Sequence, residues 1–109
     1  MQRDYNKAIR DKIPEIIRDS GLECSIQQLS DQEILPYIEE KLIEESDEYF
    51  TNRSPEELCD ILEVVYRLAE LRGVSEEELN SMRLKKREER GAFSKNYVLL
   101  MVSDRKIDR

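Results

Sequence analysis

Histidine is absent from all 109 residues, and cysteine occurs only twice, at Cys24 and Cys59. Zinc sites draw chiefly on these two residue types at short spacings, so zinc chemistry and histidine-based proton transfer are both set aside. The two thiols read as reduced cysteines of a cytoplasmic protein. Only three glycines are present, and no Gly-rich Walker loop that could cradle phosphate is found. No apolar run reaches the length of a membrane span, and the N-terminus carries no apolar signal core, so neither membrane insertion nor export is expected. Aromatic residues are 6% of the chain. Phe93 and Tyr97 are the two that could stack on a base, core packing being the alternative use of each.

Charge is what the sequence has in quantity. Charged and hydrophobic residues each make up 39%. That is too apolar for a disordered polyampholyte but lean for a domain standing alone. A single domain over residues 1–109 is expected, its core completed by self-association. The net charge of −7 argues against a nucleic-acid polymer as partner, because phosphates are normally met by basic surfaces. It leaves open a single nucleotide held through metal ions.

Helix signals punctuate the chain. "IPEIIRDSG", residues 13–21, predicts a short helix, with Pro14 early and Gly21 as the stop. Ser30 and Glu33 form a candidate capping box for a helix to about Phe50. Pro36 inside it marks a later start or a bend. "TNRS" breaks that helix. Ser54, Pro55 and Glu57 then open a helix to about Arg72, stopped by Gly73. Ser75 and Glu78 open a fourth to about Arg90, closed by Gly91. The expected fold is an all-α antiparallel bundle. A small two-stranded sheet is a possible addition, pairing "LECSIQQL" at 22–29 with the apolar "NYVLLMV" at 96–102.

Angular positions, at about 100° per residue, show where the acidic residues of "EKLIEESDEYF" point. With Ile38 at zero, Ile34, Leu42 and Tyr49 fall at roughly 320°, 40° and 20°. Glu45 lies inside that apolar arc at about 340°, Glu48 on its edge at about 280°, and Glu44 further out at about 240°. With Leu58 at zero on the next helix, the apolar residues span roughly 240° to 40°. Glu57 lies inside this arc at about 260° and Asp60 flanks it at about 200°. Asp47, Glu56 and Glu63 face solvent. Two i,i+3 carboxylate pairs therefore border two buried faces. If the helices pack antiparallel, Glu45, Glu48, Glu57 and Asp60 converge. Four like charges need a counterion, and all-oxygen ligation favours a hard cation, chiefly Mg²⁺ or Mn²⁺. The competing explanation is ordinary: Glu57 completes a cap, and Glu48 and Asp60 are rim charges. A core-facing Glu45 is harder to explain that way.

"YNKAIRDKIPEII" at 5–17, "LSDQEI" at 29–34, "EKLIEESDE" at 40–48, "EELCDILEVV" at 56–65 and "ERGAF" at 89–93 occur in that order. Together they resemble the MazG-like and phosphoribosyl-ATP pyrophosphohydrolase-like proteins of the all-α nucleoside triphosphate pyrophosphohydrolase superfamily. The "RDKIP" opening is more similar to the broader MazG-like group than to the histidine-biosynthesis enzyme, and the gap at 49–56 is shorter than in many MazG proteins. The resemblance implies Mg²⁺ ligation by Glu45, Glu48, Glu57 and Asp60, with Glu44 as a supporting or alternative ligand. It also implies hydrolysis of a nucleotide substrate between its α- and β-phosphates, releasing a monophosphate and pyrophosphate, and assembly as a homodimer or homotetramer.

Such a reaction needs a proton acceptor for water, for which Glu44 and Glu48 are the candidates. It also needs cations near the departing pyrophosphate. Lys86 and Arg90 continue the apolar face of the fourth helix, and Arg10 with Lys12 forms a second basic pair. Both pairs have an alternative use, in snorkelling or in anchoring the N-terminus. Asp11 is expected to order the turn before Ile13. The competing function is a non-catalytic helical interaction protein that self-associates through the same apolar arcs.

Overall fold

In the computed structural model, which describes residues 2–3 and 5–105, the chain turns back on itself at a corner made by Arg53, Ser54 and Pro55. Arg53 ends the preceding helix in the left-handed region, with φ of 56°. Its Nε donates to the Phe50 carbonyl at 3.0 Å, and its guanidinium lies over the Phe50 ring. Ser54 then caps the next helix and Pro55 supplies its first residue, where a missing N–H costs nothing. The two helices so joined, α2 (Asp31–Asn52) and α3 (Pro55–Leu71), pack antiparallel as the main layer of the fold. Ion pairs from Arg67 to Asp31 and from Arg72 to Glu39 tie the far end of this hairpin.

A short α1 (Ile13–Asp19) precedes the hairpin, and α4 (Glu76–Arg90) follows it and packs on α3. Tyr66 Oη donates to Asn80 Oδ1 across the α3–α4 contact at 3.4 Å. The fold is thus an all-α bundle of four helices, as the helix signals predict. Both the Ser30–Glu33 and Ser75–Glu78 capping boxes form with their reciprocal hydrogen bonds. Gly73 and Gly91 follow α3 and α4 at φ of 83° and 85°, a region costly for any residue with a Cβ.

Three expectations are corrected. Of the two uses expected for Pro36, a later start is overturned, since α2 starts at Asp31 and runs through it. The Ser30 cap fixes the start, and Gln32 and Pro36 lie on an exposed flank where the lost backbone bond is least costly. The turn before Ile13 is closed by its backbone N–H on the Arg10 carbonyl at 3.0 Å, without a hydrogen bond from the Asp11 side chain. The small sheet is absent: residues 22–29 and 96–102 have no assigned secondary structure, and no strand occurs among the described residues. A β ladder exists only between two edges, and the chain brings no second edge to either segment.

Burial is sparse. Ala8, Val64 and Glu45 are the most deeply covered residues, each 8% exposed. The chain exposes 10503 Å², whereas a folded monomer of 13.0 kDa exposes about 6,300 Å². Its radius of gyration is 20.2 Å, against about 13 Å for a compact chain of this length. The apolar arc of α3 is wider than its neighbour covers. Val64 is buried, but Leu58 and Leu62 stay 46% and 51% exposed.

Candidate functional site

The corner at Arg53 decides what meets across the α2–α3 hairpin. Glu48 and Glu57 lie four and two residues from the helix ends at this corner, Asn52 and Pro55, and Glu45 and Asp60 seven and five. Antiparallel packing therefore brings comparable heights together. One carboxylate oxygen from each of Glu45, Glu57 and Asp60 falls within 4.8 Å of the others, and the same holds for Glu44, Glu45 and Glu48. Glu45 belongs to both groups and joins them into one five-carboxylate cluster.

Two oxygens in this cluster have nothing to accept. Oε2 of Glu45 and Oε2 of Glu57 are buried without a hydrogen-bond partner. An unsatisfied buried carboxylate oxygen is expensive, and native structures rarely leave one bare. The remaining oxygens are engaged in part. Glu45 Oε1 lies 3.5 Å from Lys41 Nζ, and Glu57 Oε1 accepts from Asn52 Nδ2 at 2.9 Å. The expected capping role of Glu57 is not what places it. Ser54 Oγ accepts from the Glu56 N–H at 3.2 Å, so the Glu57 side chain turns inward.

An N-terminal strap crosses the cluster. Ala8 is buried beneath it, Lys7 Nζ donates to Glu44 Oε1 at 3.1 Å, and Arg10 Nη1 donates to Asp60 Oδ1 at 3.1 Å. Lys41 also donates to Glu44 Oε1, at 3.2 Å. These contacts separate neighbouring carboxylates electrostatically. Burial pushes the Glu44 carboxyl up, but the hydrogen bonds from Lys7 and Lys41 outweigh it and hold the group below its usual range. Glu48 has no cation beside it. The negative charge of Glu45, followed by desolvation and the charge of Glu57, raises its carboxyl above the usual range.

Exposure departs from the angular expectation in one respect. Glu45 is buried, Glu57 and Asp60 are half-buried, and Asp47, Glu56 and Glu63 are exposed, all as the angles predict. Glu48 is exposed rather than turned into the packed face, while the more peripheral Glu44 is half-covered. The strap supplies the reason: Lys7 roofs Glu44, and nothing roofs Glu48.

Of the basic residues, Arg10 is brought to the carboxylates. Lys12 sits before α1, and Lys86 and Arg90 lie on the fully exposed second half of α4. None of these three makes an ion pair or hydrogen bond among the described side chains. Phe93 and Tyr97 do not pack in the chain's core, being 98% and 84% exposed. Lys7, Lys41 and Asn52 were not singled out by the sequence patterns. Lys41 was legible: it falls at about 300° on α2, inside the arc that admits Glu45. Lys7 and Asn52 reach the cluster through chain turns that helical angles do not describe.

The donor set is all oxygen, drawn from two helices, with two buried oxygens unsatisfied. Residues of this kind could hold a hard divalent cation such as Mg²⁺ or Mn²⁺ in either of two groups that share Glu45, one with Glu57 and Asp60 and the other with Glu44 and Glu48. No helix among the described residues is long and apolar enough to cross a membrane. In comparisons with known proteins, no family model, curated protein or solved structure matches the chain.

Proposed function

We propose that the chain is a Mg²⁺-dependent nucleotide pyrophosphohydrolase, cleaving a nucleoside triphosphate or related nucleotide between its α- and β-phosphates. One observation carries this reading: Glu45 is 8% exposed, joins both carboxylate groups, and keeps a buried Oε2 that accepts nothing. The similarity of its motifs to the MazG-like proteins supplies the reaction class. When bound, Mg²⁺ or Mn²⁺ would offset phosphate charge and favour attack of water at the α-phosphorus.

The chain's own residues divide the remaining work. Glu45, Glu57 and Asp60 hold the cation from the two arms of the hairpin, and Glu48 completes the set at the solvent rim. Glu44 and Glu48 are the two proton acceptors to weigh. Glu44 Oε1 already accepts from Lys7 and Lys41, whereas Glu48 is exposed and no lysine or arginine bonds to it, which favours the Glu48 oxygen not turned to the cation as the group that takes the proton from water. Arg10, held over the cluster by Asp60, is 62% exposed and can turn its guanidinium to a phosphate oxygen. Lys12, Lys86 and Arg90 are exposed cations with no carboxylate partner, and could meet the β- and γ-phosphates only if the nucleotide extends beyond the carboxylates to them. We place the protein in the cytoplasm, where free thiols such as Cys24 and Cys59 persist. The large uncovered surface supports assembly as a homodimer or homotetramer.

That same surface favours a second reading, a non-catalytic helical protein whose role is self-association. It leaves the buried, unsatisfied Glu45 without a purpose. Incubation with a panel of ribo- and deoxyribonucleoside triphosphates and Mg²⁺, with product identification, separates the two. Monophosphate and pyrophosphate released by the wild type but not by Glu45→Gln is the expected outcome. No cleavage of any member, with no divalent-ion binding, would favour the second reading.

A further inference from the structure

The segment after α4 is built against the usual rule of burial. Tyr97, Val98, Leu99, Leu100, Met101 and Val102 form an unbroken apolar run outside any helix or strand, each between 74% and 91% exposed. A continuous apolar run, unlike an alternating one, is the pattern of a strand covered on both faces. Both edges of this segment also carry unpaired backbone groups, because no strand among the described residues lies beside it. An exposed apolar edge of this kind is a template for pairing with another chain.

We propose that Tyr97–Val102 is an assembly strand, which pairs antiparallel with the same segment of a second copy across a twofold axis. Two observations commit the occupant to a second copy. First, the uncovered area exceeds that of a folded monomer by about 4,000 Å² per chain, more than the roughly 1,000–2,500 Å² that each partner of a typical obligate homodimer buries. Secondly, the surplus is not confined to the segment. Leu58 and Leu62 on α3, Ile43 and Phe50 on α2, and Met82 and Leu84 on α4 are all more than two-fifths exposed. A partner of another kind would need its own surfaces for the strand and for these helix faces. A second copy carries both, and a twofold axis uses each twice. Pairing also supplies the backbone partners that the segment lacks within its own chain, and lays one of its faces toward the bare helices.

The inference deepens the assembly reading above, on which it rests for the partner's identity, and is independent of the reaction assigned to the carboxylates. Light scattering on the full chain, together with a Leu99→Asp, Leu100→Lys double variant, tests it. The wild type is expected at twice the 13.0 kDa chain mass or a multiple of that, and the variant at 13.0 kDa with its helical circular dichroism and Mg²⁺ affinity retained. Cysteine placed singly from Tyr97 to Val102, in a Cys24→Ser, Cys59→Ser background, provides a second readout. Opposed residues of an antiparallel pair lie close enough for a disulfide, so a position at the axis should give a covalent dimer. A wild-type assembly that the double variant leaves intact, with no position cross-linking, overturns the strand while sparing self-association. A wild type at 13.0 kDa overturns both, whether the segment stays bare or carries the chain onto phosphatidylcholine vesicles.

Discussion

The α2–α3 corner and the tail beyond α4 break opposite rules. At the corner, a carboxylate is buried to the same depth as Val64. In the tail, six consecutive apolar residues stand in water. Each is costly within a single chain, and under the two proposals each cost is lifted by something the chain does not contain. Like charges confined by packing call for a cation; unpaired apolar backbone calls for another strand. The contrast teaches that sparse burial here is not a uniformly weak core. It is one packed hairpin with a charged centre, attached to elements that the chain itself leaves uncovered.

The contrast breaks most sharply at Glu45. Glu45→Gln should lower pyrophosphate release and divalent-ion affinity by at least about 100-fold, read by product assay and calorimetric titration. A structural role for Glu45 predicts the reverse pattern: binding untouched, and stability lost because Lys41 loses one of its two carboxylate partners.

Cation binding should next appear as stability. Mg²⁺ at about 100 times its dissociation constant should stabilise the wild type by roughly 2.7 kcal/mol in thermal unfolding, and Glu45→Gln not at all. At the other end of the molecule, raising protein concentration should raise the wild-type melting temperature and leave the Leu99→Asp, Leu100→Lys variant unmoved.

A smaller effect distinguishes two neighbours on one helix. Without divalent ions, the Glu48 carboxyl is raised by Glu45, so its contribution is present below the unfolded value near 4.5 and lost as pH rises through the folded one. Glu48→Gln should therefore stabilise the metal-free chain at neutral pH, and the gain should vanish below that value. Glu44 is lowered, so its contribution is present above the unfolded value and lost as pH falls through the folded one. Glu44→Gln should cost about 0.5–1 kcal/mol at neutral pH and progressively less in acid. Melting curves of both variants in chelator across pH 3–8 check the opposite signs, since screening by salt affects both alike.

Much of the hairpin was legible in the sequence because its causes are local. Ser30 with Glu33 and Ser75 with Glu78 cap as the spacing requires, and helical angles bury Glu45 while exposing Asp47. The failures arise where the cause is distant. Angles cannot show that Lys7 covers Glu44 and leaves Glu48 at the rim. They also treat the α3 arc as one face, whereas α2 covers the Val64 side and leaves Leu58 and Leu62 bare. The apolar, β-favouring character of 96–102 predicts a strand, but a strand needs an edge that this sequence does not supply in a single copy. Ser54 shows the limit of cap patterns: its Oγ accepts from the Glu56 N–H rather than that of Glu57, and the Glu57 carboxylate accepts from Asn52 instead of closing the box.

The most direct test of the carboxylate centre uses Mn²⁺ as the probe, with electron paramagnetic resonance reporting free ion. Wild-type protein should quench the free Mn²⁺ signal stoichiometrically, Mg²⁺ should restore it by competition, and Glu45→Gln should leave it unquenched. Equal quenching by wild type and Glu45→Gln, or none by either, would contradict a cation site centred on the α2–α3 corner.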